Sequence, residues 1–428
     1  MTISDDSVNA LLDSLLELHP KKIDLSLDRS FALLNKLGNP QDKIDNIIHF
    51  AGTNGKFSTL NFVKEILKNN QKSINAYISP HLVKFNERFE IQNQIISNET
   101  LHQTLSAVKD TNNLDPITFF EITSAGFFKL AAEHSSDYTL LETGLGGRLD
   151  SSNVMTPLLS VIASISHDHH DFLGDTIEKI AAEKAGIIKK NVPVVIGYQP
   201  FNEARRVLLE YAESIEAPTF MYDQDYTMNK DGDHLVYEDE KHKIRFENLS
   251  HQGEFQIKNL GLAIATCFQL EDINVHSFLE NNLHQKVYFP GRFEKLKNNT
   301  LNKLISEQNE LYLDGSHNPD AAANINEALR SLTEKKLCIV IGMLNTKNPA
   351  EYIQQFSDIE SIHTISIPGE ENTLDSLTLK DMVYDQCQNT YASENIESAI
   401  KDIASKNPDA RILICGSLYL AGQVLKDN

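Results

Sequence analysis

The stretch Ile47-Ile48-His49-Phe50-Ala51-Gly52-Thr53-Asn54-Gly55-Lys56-Phe57-Ser58-Thr59 decides how the rest of the chain is read. Its apolar start predicts a buried strand. Gly52 and Gly55 predict a tight turn, and Lys56 to about Lys68 predicts an amphipathic helix. A strand, a glycine turn and a helix N-terminus gather backbone N–H groups around a small space that suits a phosphate chain. Lys56 adds a point charge near a transferring phosphate, and Ser58 or Thr59 can reach a magnesium ion. A strict phosphate-loop pattern wants glycine at position 50, where this chain has Phe50. The match is therefore a shortened variant, Gly-Thr-Asn-Gly-Lys. A plain strand–turn–helix connection with no ligand fits the same residues, and local sequence leaves both readings open.

A chain of 428 residues is too long for one ordinary core and predicts two domains. With 41% hydrophobic and 23% charged residues, the composition is that of a globular chain. The formal net charge of −21 argues against a nucleic-acid surface, which needs a basic stripe, and against affinity for anionic membrane. An anionic ligand must then be held by local groups: a metal, helix N-termini and a few cations. Cys267, Cys338, Cys387 and Cys415 have no paired spacing, which predicts free thiols and a reducing, cytoplasmic setting. Met1-Thr2-Ile3-Ser4-Asp5-Asp6 lacks a basic and apolar leader, and no apolar run approaches the roughly 20 residues that span a bilayer.

From residue 4 the pattern predicts helices over 4–18 and 29–37, flanking a loop at Lys22–Arg29. After the opening stretch come a strand at 74–78, a long loop, helices over 98–109 and 119–134, and strands at 138–142 and 158–164. A helix over 176–189, capped by Asp175, follows, then a strand at 193–196 and a helix over 201–215. Residues 219–247 read as a β-insertion, and 256–270 as a helix. After Pro290-Gly291-Arg292-Phe293-Glu294 the alternation restarts, with strands near 311–313, 337–343, 362–367 and 411–415. Strand–helix alternation predicts a doubly wound, mostly parallel sheet in a phosphate-loop domain over 1–296. A smaller Rossmann-like α/β domain is predicted over 297–428, with an active-site cleft between the two. Three predicted strands end in polar motifs, Ser79-Pro80, Glu142-Thr143-Gly144 and His167-Asp168-His169. Ligands of such sheets bind beyond the strand C-termini.

Each motif has a chemical and a plain reading. Glu142 beside glycines can hold Mg²⁺, or be a solvated strand end. Three imidazoles and two carboxylates within His167–Asp171 invite a metal, or merely cap the next helix. Lys184 lies on a largely apolar helix. Burial would lower its pKa and let it take up CO₂ as a metal-binding carbamate, whereas a lysine reaching to solvent is the plainer reading. Leu313-Asp314-Gly315-Ser316-His317-Asn318-Pro319 can present Asp314 to a ribose or base and His317 to an anionic substrate, or be a helix-capping turn.

Together these motifs resemble the dihydrofolate synthase/folylpolyglutamate synthase family of the muramyl ligase superfamily. The matches run in order: Ile23-Asp24-Leu25-Ser26-Leu27, Ala51-Gly52-Thr53-Asn54-Gly55-Lys56, Ser79-Pro80-His81-Leu82-Val83 with Asn86-Glu87-Arg88, and Thr118-Phe119-Phe120-Glu121. Then come Leu145-Gly146-Gly147-Arg148-Leu149-Asp150 with Asn153, Asp168-His169, Leu173-Gly174-Asp175-Thr176, Glu183-Lys184-Ala185-Gly186-Ile187, Pro290-Gly291-Arg292-Phe293 and Asp314-Gly315-Ser316-His317-Asn318-Pro319. The resemblance implies that Gly52, Thr53, Asn54, Gly55, Lys56, Phe57 and Ser58 hold ATP phosphates. Asn259, Arg292 and Asp314 would hold the rest of the nucleotide. It implies Mg²⁺ on Ser79, Glu142 and His169, and catalytic roles for Lys56, Lys184 (carbamylated) and His317. The pteridine side would be Ile23, Asp24, Leu25, Leu27, Thr118, Phe119 and Asp150, with Phe119 or Phe120 offering a stacking surface. Phe57 departs from the family's usual glycine, which bears on ATP affinity, and Ser26 stands where a glycine is common.

The implied reaction is ATP-dependent addition of L-glutamate to 7,8-dihydropteroate and to reduced folates through an acyl phosphate, by a monomer without nucleic-acid or membrane partners. The Ile-Asp-Leu-x-Leu loop favours dihydropteroate as one acceptor. Three rivals remain. A muramyl-peptide ligase would carry a further domain ahead of the phosphate loop. A metal-dependent phosphohydrolase on His167–Asp171 would not need Lys56, and a silent nucleotide-binding module would release no phosphate.

Overall fold

Every side chain of Ile47–Ala51 is buried, and this strand, β1, lies inside an eight-stranded sheet. Fully burying an aliphatic or aromatic side chain contributes roughly 1.5–3 kcal/mol, so the apolar run sets its own place in the core. The computed structural model describes residues 3–21, 24–249, 253–297 and 299–426. They divide into two compact units, 1–248 with 258–287 and 249–257 with 288–428.

In the first unit, β2 (Ile74–Tyr77), β3 (Phe89–Ile91), β4 (Gln94–Ile95), β5 (Tyr138–Glu142), β6 (Leu159–Ile162), β7 (Val194–Ile196) and β8 (Thr219–Met221) join β1 in the order β4-β3-β2-β5-β1-β6-β7-β8. β1 pairs in parallel with β5 and β6, placing Phe50 beside Glu142 and Ala51 beside Ile162. The phosphate-loop turn therefore leaves the sheet at the same edge as Glu142 and the segment after β6. β3 and β4 are an antiparallel appendage where the sequence predicts a loop. Their turn uses positive φ at Gln92 and Asn93, so polar residues rather than glycine close it.

β8 corrects a second expectation. It extends the parallel sheet beside β7, and only β9 (Tyr226–Asp231), β10 (His234–Asp239) and β11 (Lys243–Glu247) form the antiparallel insertion. The helix Ile177–Ala185 is capped by Thr176, whose hydroxyl accepts from Lys179 N–H, whereas Asp175 pairs with the Lys179 ammonium.

The second unit is a six-stranded sheet of β12 (Glu294–Lys295), β13 (Glu310–Leu313), β14 (Lys336–Ile341), β15 (Ile359–Thr364), β16 (Thr390–Ala392) and β17 (Ala410–Cys415), in the order β12-β13-β17-β14-β15-β16. All pairings except β12–β13 are parallel. The four cysteines are free thiols, three of them buried. Among the described residues no helix is long and apolar enough to cross a membrane.

Candidate active site

After β1 the chain turns at Gly52 and caps the helix Lys56–Asn69 with Gly55 at φ 88°. A side chain at Gly55 would be strained, and its Cβ would strike the Asn259 carboxamide. Asn259, on the helix Glu254–Cys267, thus lies directly against the loop. The N–H groups of Thr53 and Asn54, expected among the phosphate donors, go instead to Ser164 O at 2.8 and 3.1 Å. The Thr53 hydroxyl donates to Ser166 O and accepts from Ser166 N–H, both at 3.1 Å. These bonds staple the loop to the segment after β6. The first bond of the helix runs from Thr59 N–H to Gly55 O. The N–H groups of Gly55, Lys56 and Ser58 precede it and have no partner within the helix, which is the arrangement an anion uses. Phe57 is half-exposed on the first turn, outside the core, while Ser58 is buried.

Two lysines meet at this turn. Lys56 Nζ and Lys184 Nζ both donate to Gly52 O, at 3.1 and 3.0 Å. Lys184 is only 4% exposed. Burial first, and then the Lys56 charge, pull its pKa down to about 7, so a large neutral fraction exists near neutrality. Lys56 also stands 3.9 Å from Glu142 Oε1, and Ser79 N–H donates to Glu142 Oε2 at 3.2 Å. Ser79 and Glu142 are therefore brought together beside both lysines. A buried carboxylate with an adjacent hydroxyl is an oxygen donor set that suits a hard divalent cation.

His169 stands in a left-handed conformation, φ 53°, at the start of the short helix His170–Leu173. Its N–H donates to Asp168 Oδ1 at 2.8 Å. Crowding in this segment does not make a metal cage. Among the described residues no group of three or more His, Cys, Asp and Glu side chains is arranged to hold an ion. His167 and His170 face each other with ring centroids 5.3 Å apart, and His170 Nδ1–H donates to Gly174 O.

The expected pteridine-side residues are joined by an ion pair that no local motif announces. Arg29 donates to Asp24 Oδ2 at 2.9 Å and to Asp24 O at 2.6 Å. Its other N–H groups donate to both Glu121 oxygens, at 3.0 and 2.9 Å. Glu121 closes a capping box with Thr118 at the start of the helix Phe119–Glu133. Arg29 thereby fastens the Asp24–Leu27 loop to Thr118 and Phe119. Ile23 lies outside the described residues. Phe119 packs edge-on against Phe85, and a Cβ at Gly144 would collide with the Phe120 ring, so that ring sits tight over the loop after Glu142. Asp150 is buried and accepts from Gly144 N–H and Leu145 N–H on one oxygen and from Ser152 N–H and Oγ–H on the other. It shapes that loop from below, and burial raises its pKa despite these bonds.

In the second unit, Asp314 directly follows β13 and accepts Phe293 N–H and Ser316 N–H, each at 2.7 Å. Gly315 N–H donates to Gly291 O, and the Arg292 guanidinium lies against Gly315. Burial raises the Asp314 pKa, opposed by Ser316 and Arg292. His317 Nδ1–H donates to Gly315 O at 3.1 Å, and Asn318 caps the helix Pro319–Arg330. Arg292, Asp314 and His317 thus form one local group.

Residues 50–267 match the Mur ligase middle domain, and residues 297–427 match the dihydrofolate synthetase C-terminal domain. The dihydrofolate synthase/folylpolyglutamate synthase of Bacillus subtilis is 33% identical over 421 residues, covering 94% of each chain. The chain belongs to the dihydrofolate synthase/folylpolyglutamate synthase family. Among solved structures, a Mycobacterium tuberculosis folylpolyglutamate synthase complexed with ADP superposes with a TM-score of 0.85 at 25% identity, covering 98% of both chains. A bifunctional folylpolyglutamate synthase/dihydrofolate synthase with Mn, AMPPNP and L-glutamate bound gives 0.83 at 25% identity, covering 99% of both.

Measured against this family, the chain carries its motifs on the elements just described. Glu121 belongs to the Thr118-Phe119-Phe120-Glu121 motif, but its link to Arg29 spans 92 residues and leaves no local trace. Ser152, Ser164 and Ser166, which hold the loops from behind, are likewise invisible to spacing.

Proposed function

We propose that this family member is an ATP-dependent amide ligase that adds L-glutamate to 7,8-dihydropteroate and to reduced folates. The observation that carries the reading is the convergence of Lys56 and Lys184 on Gly52 O, beside Glu142, at a glycine-capped helix N-terminus. A carboxylate is too poor an electrophile for an amine, so the γ-phosphoryl group of ATP first converts it to an acyl phosphate. Placement and charge neutralisation dominate such a step. Gly55, Lys56 and Ser58 would receive the phosphates on N–H groups, with the Lys56 ammonium at the transferring group. Thr53 and Asn54 would anchor the loop and Phe57 would flank it. The glutamate amine then attacks the acyl carbon and phosphate leaves.

Ser79, Glu142 and His169 would hold Mg²⁺, which neutralises phosphate charge when bound. Neutral Lys184 would add CO₂ through its nitrogen lone pair and release one N–H proton to solvent, leaving a carbamate whose negative charge is favoured by the Lys56 ammonium. Asn259 would lie beside the nucleotide, Arg292 and Asp314 would also bind it, and His317 would be catalytic. Asp24, Leu25, Leu27, Thr118 and Phe119 would take the pteridine, on a loop shaped by Asp150. A phosphate-loop domain followed by a C-terminal domain, and action as a monomer, belong to the same reading; the expected boundary at 296 moves to 287, with residues 249–257 also joining the second unit, because β12 (Glu294–Lys295) pairs in the second sheet.

Lys56→Ala should cut glutamate-dependent phosphate release by about a hundredfold or more, the size of a lost charge-stabilising donor. Glutamate transfer by the variant at the parent's rate would defeat this assignment.

A further inference from the structure

His49 lies in the middle of β1, is fully buried, and is absorbed by none of the roles above. Its Nε2 is 2.8 Å from Ser152 Oγ, and Ser152 Oγ is 2.5 Å from Asp150 Oδ1. Asp150 Oδ2 in turn receives Gly144 N–H and Leu145 N–H, both at 2.9 Å. The protons in this chain can be assigned. Gly144, Leu145 and Ser152 direct three N–H groups at the Asp150 oxygens, and these favour the ionised carboxylate against the burial that raises its pKa. The single Ser152 hydroxyl proton therefore points at Asp150. Ser152 Oγ must then accept from His49, which fixes His49 as the Nε2–H tautomer. Its Nδ1 is buried without a hydrogen-bond partner, where a bare lone pair is less costly than a stranded N–H. Burial, together with the Lys189 charge, holds the ring neutral down to about pH 3.

We propose that His49 is a positioning residue. From the core of the phosphate-loop strand it orients Ser152, and Ser152 orients Asp150. Asp150 locks the Gly144–Leu145 turn beneath Phe120 on the acceptor side. The chain links the strand that feeds the ATP loop to the loop that follows Glu142, through buried His49, Ser152 and Asp150 to the part-buried amides of Gly144 and Leu145. It rests on the ligase reading only for which substrate feels the change.

The test compares His49→Gln with His49→Asn in the full-length protein. A glutamine amide places an N–H donor near the position of imidazole Nε2; an asparagine amide falls near Nδ1 and loses the bond. In hydrogen exchange, His49→Asn should speed exchange of the Gly144 and Leu145 amides by about five- to tenfold, the size of one lost buried hydrogen bond. The amides of 53–58 should be unchanged, and His49→Gln should stay within about twofold of the parent. In the ligase assay the acceptor KM should rise similarly in His49→Asn, with the ATP KM constant. Equal acceleration in both variants, or acceleration spread evenly over the sheet, would reduce His49 to a packing residue and overturn the proposal. If the parent transfers no glutamate, the ligase reading falls, while the exchange result still decides the relay.

Discussion

Lys184 and Lys56 place two side-chain nitrogens on one carbonyl oxygen, and this has a thermodynamic signature. The Lys184 pKa falls from the ordinary 10.5 to about 7 in the folded chain, through burial and then Lys56. Between those values the unfolded chain holds a proton that the folded chain lacks, so stability at this position rises with pH across the window. Below about pH 7 both states are protonated and the penalty is constant. In CO₂-free buffer, Lys184→Met should be more stable than the parent at pH 7, with the difference shrinking towards pH 10.5. The slope should reach up to about 1.4 kcal/mol per pH unit. Denaturant unfolding at several pH values measures this, and a pH-independent difference would contradict the buried, depressed lysine. Added bicarbonate should raise ligase activity of the parent and leave Lys184→Met unaffected. The carbamate should be visible as a new carbonyl signal in ¹³C-bicarbonate NMR.

The loop and helix joined by Arg29 make the proposed acceptor side one element. The Arg29 side chain is 22% exposed and its partner Glu121 only 5%, so truncation strands a buried carboxylate. Breaking such a pair costs several kcal/mol. Arg29→Ala should raise the KM for dihydropteroate by about tenfold or more, with the ATP KM nearly unchanged. Parallel rises in both constants would show general loosening instead. Gly55→Ala acts on the other element. It forces a side chain to φ 88° against Asn259 and should weaken ATP binding by about tenfold or more, by calorimetric titration, with little change in acceptor binding.

These elements also show what sequence could tell. Buried parallel strands such as Ile47–Ala51 and Ala410–Cys415 announce themselves as apolar runs, and their polar ends mark one edge of a sheet. β3 and β4 did not, because they are three and two residues long and their turn lacks glycine. The helix Ser376–Val383 escaped because Ser-Leu-Thr-Leu has no clear helical period. The candidate site was legible where one segment carried its own chemistry, as at Gly55-Lys56 or Asp314-Gly315. It was illegible where it depends on pairing across the chain, as between Arg29 and Glu121 or His49 and Ser152, 92 and 103 residues apart.

For the molecule as a whole, the net charge of −21 means that the nucleotide is bound against the overall field by a few local groups. Ligand that binds only the folded chain should stabilise it by about 2.7 kcal/mol at a hundred times its dissociation constant. Mg²⁺ with ADP should therefore raise the melting temperature of the parent by several degrees, and of Lys56→Ala much less. The central claim is glutamate ligation. Phosphate release is measured with Mg²⁺ and ATP, on dihydropteroate and on tetrahydrofolate, each with and without L-glutamate, and the products are weighed. The account predicts release that requires glutamate, with products one glutamyl unit heavier for both acceptors. Release independent of glutamate, or glutamate left untransferred with either acceptor, would contradict it.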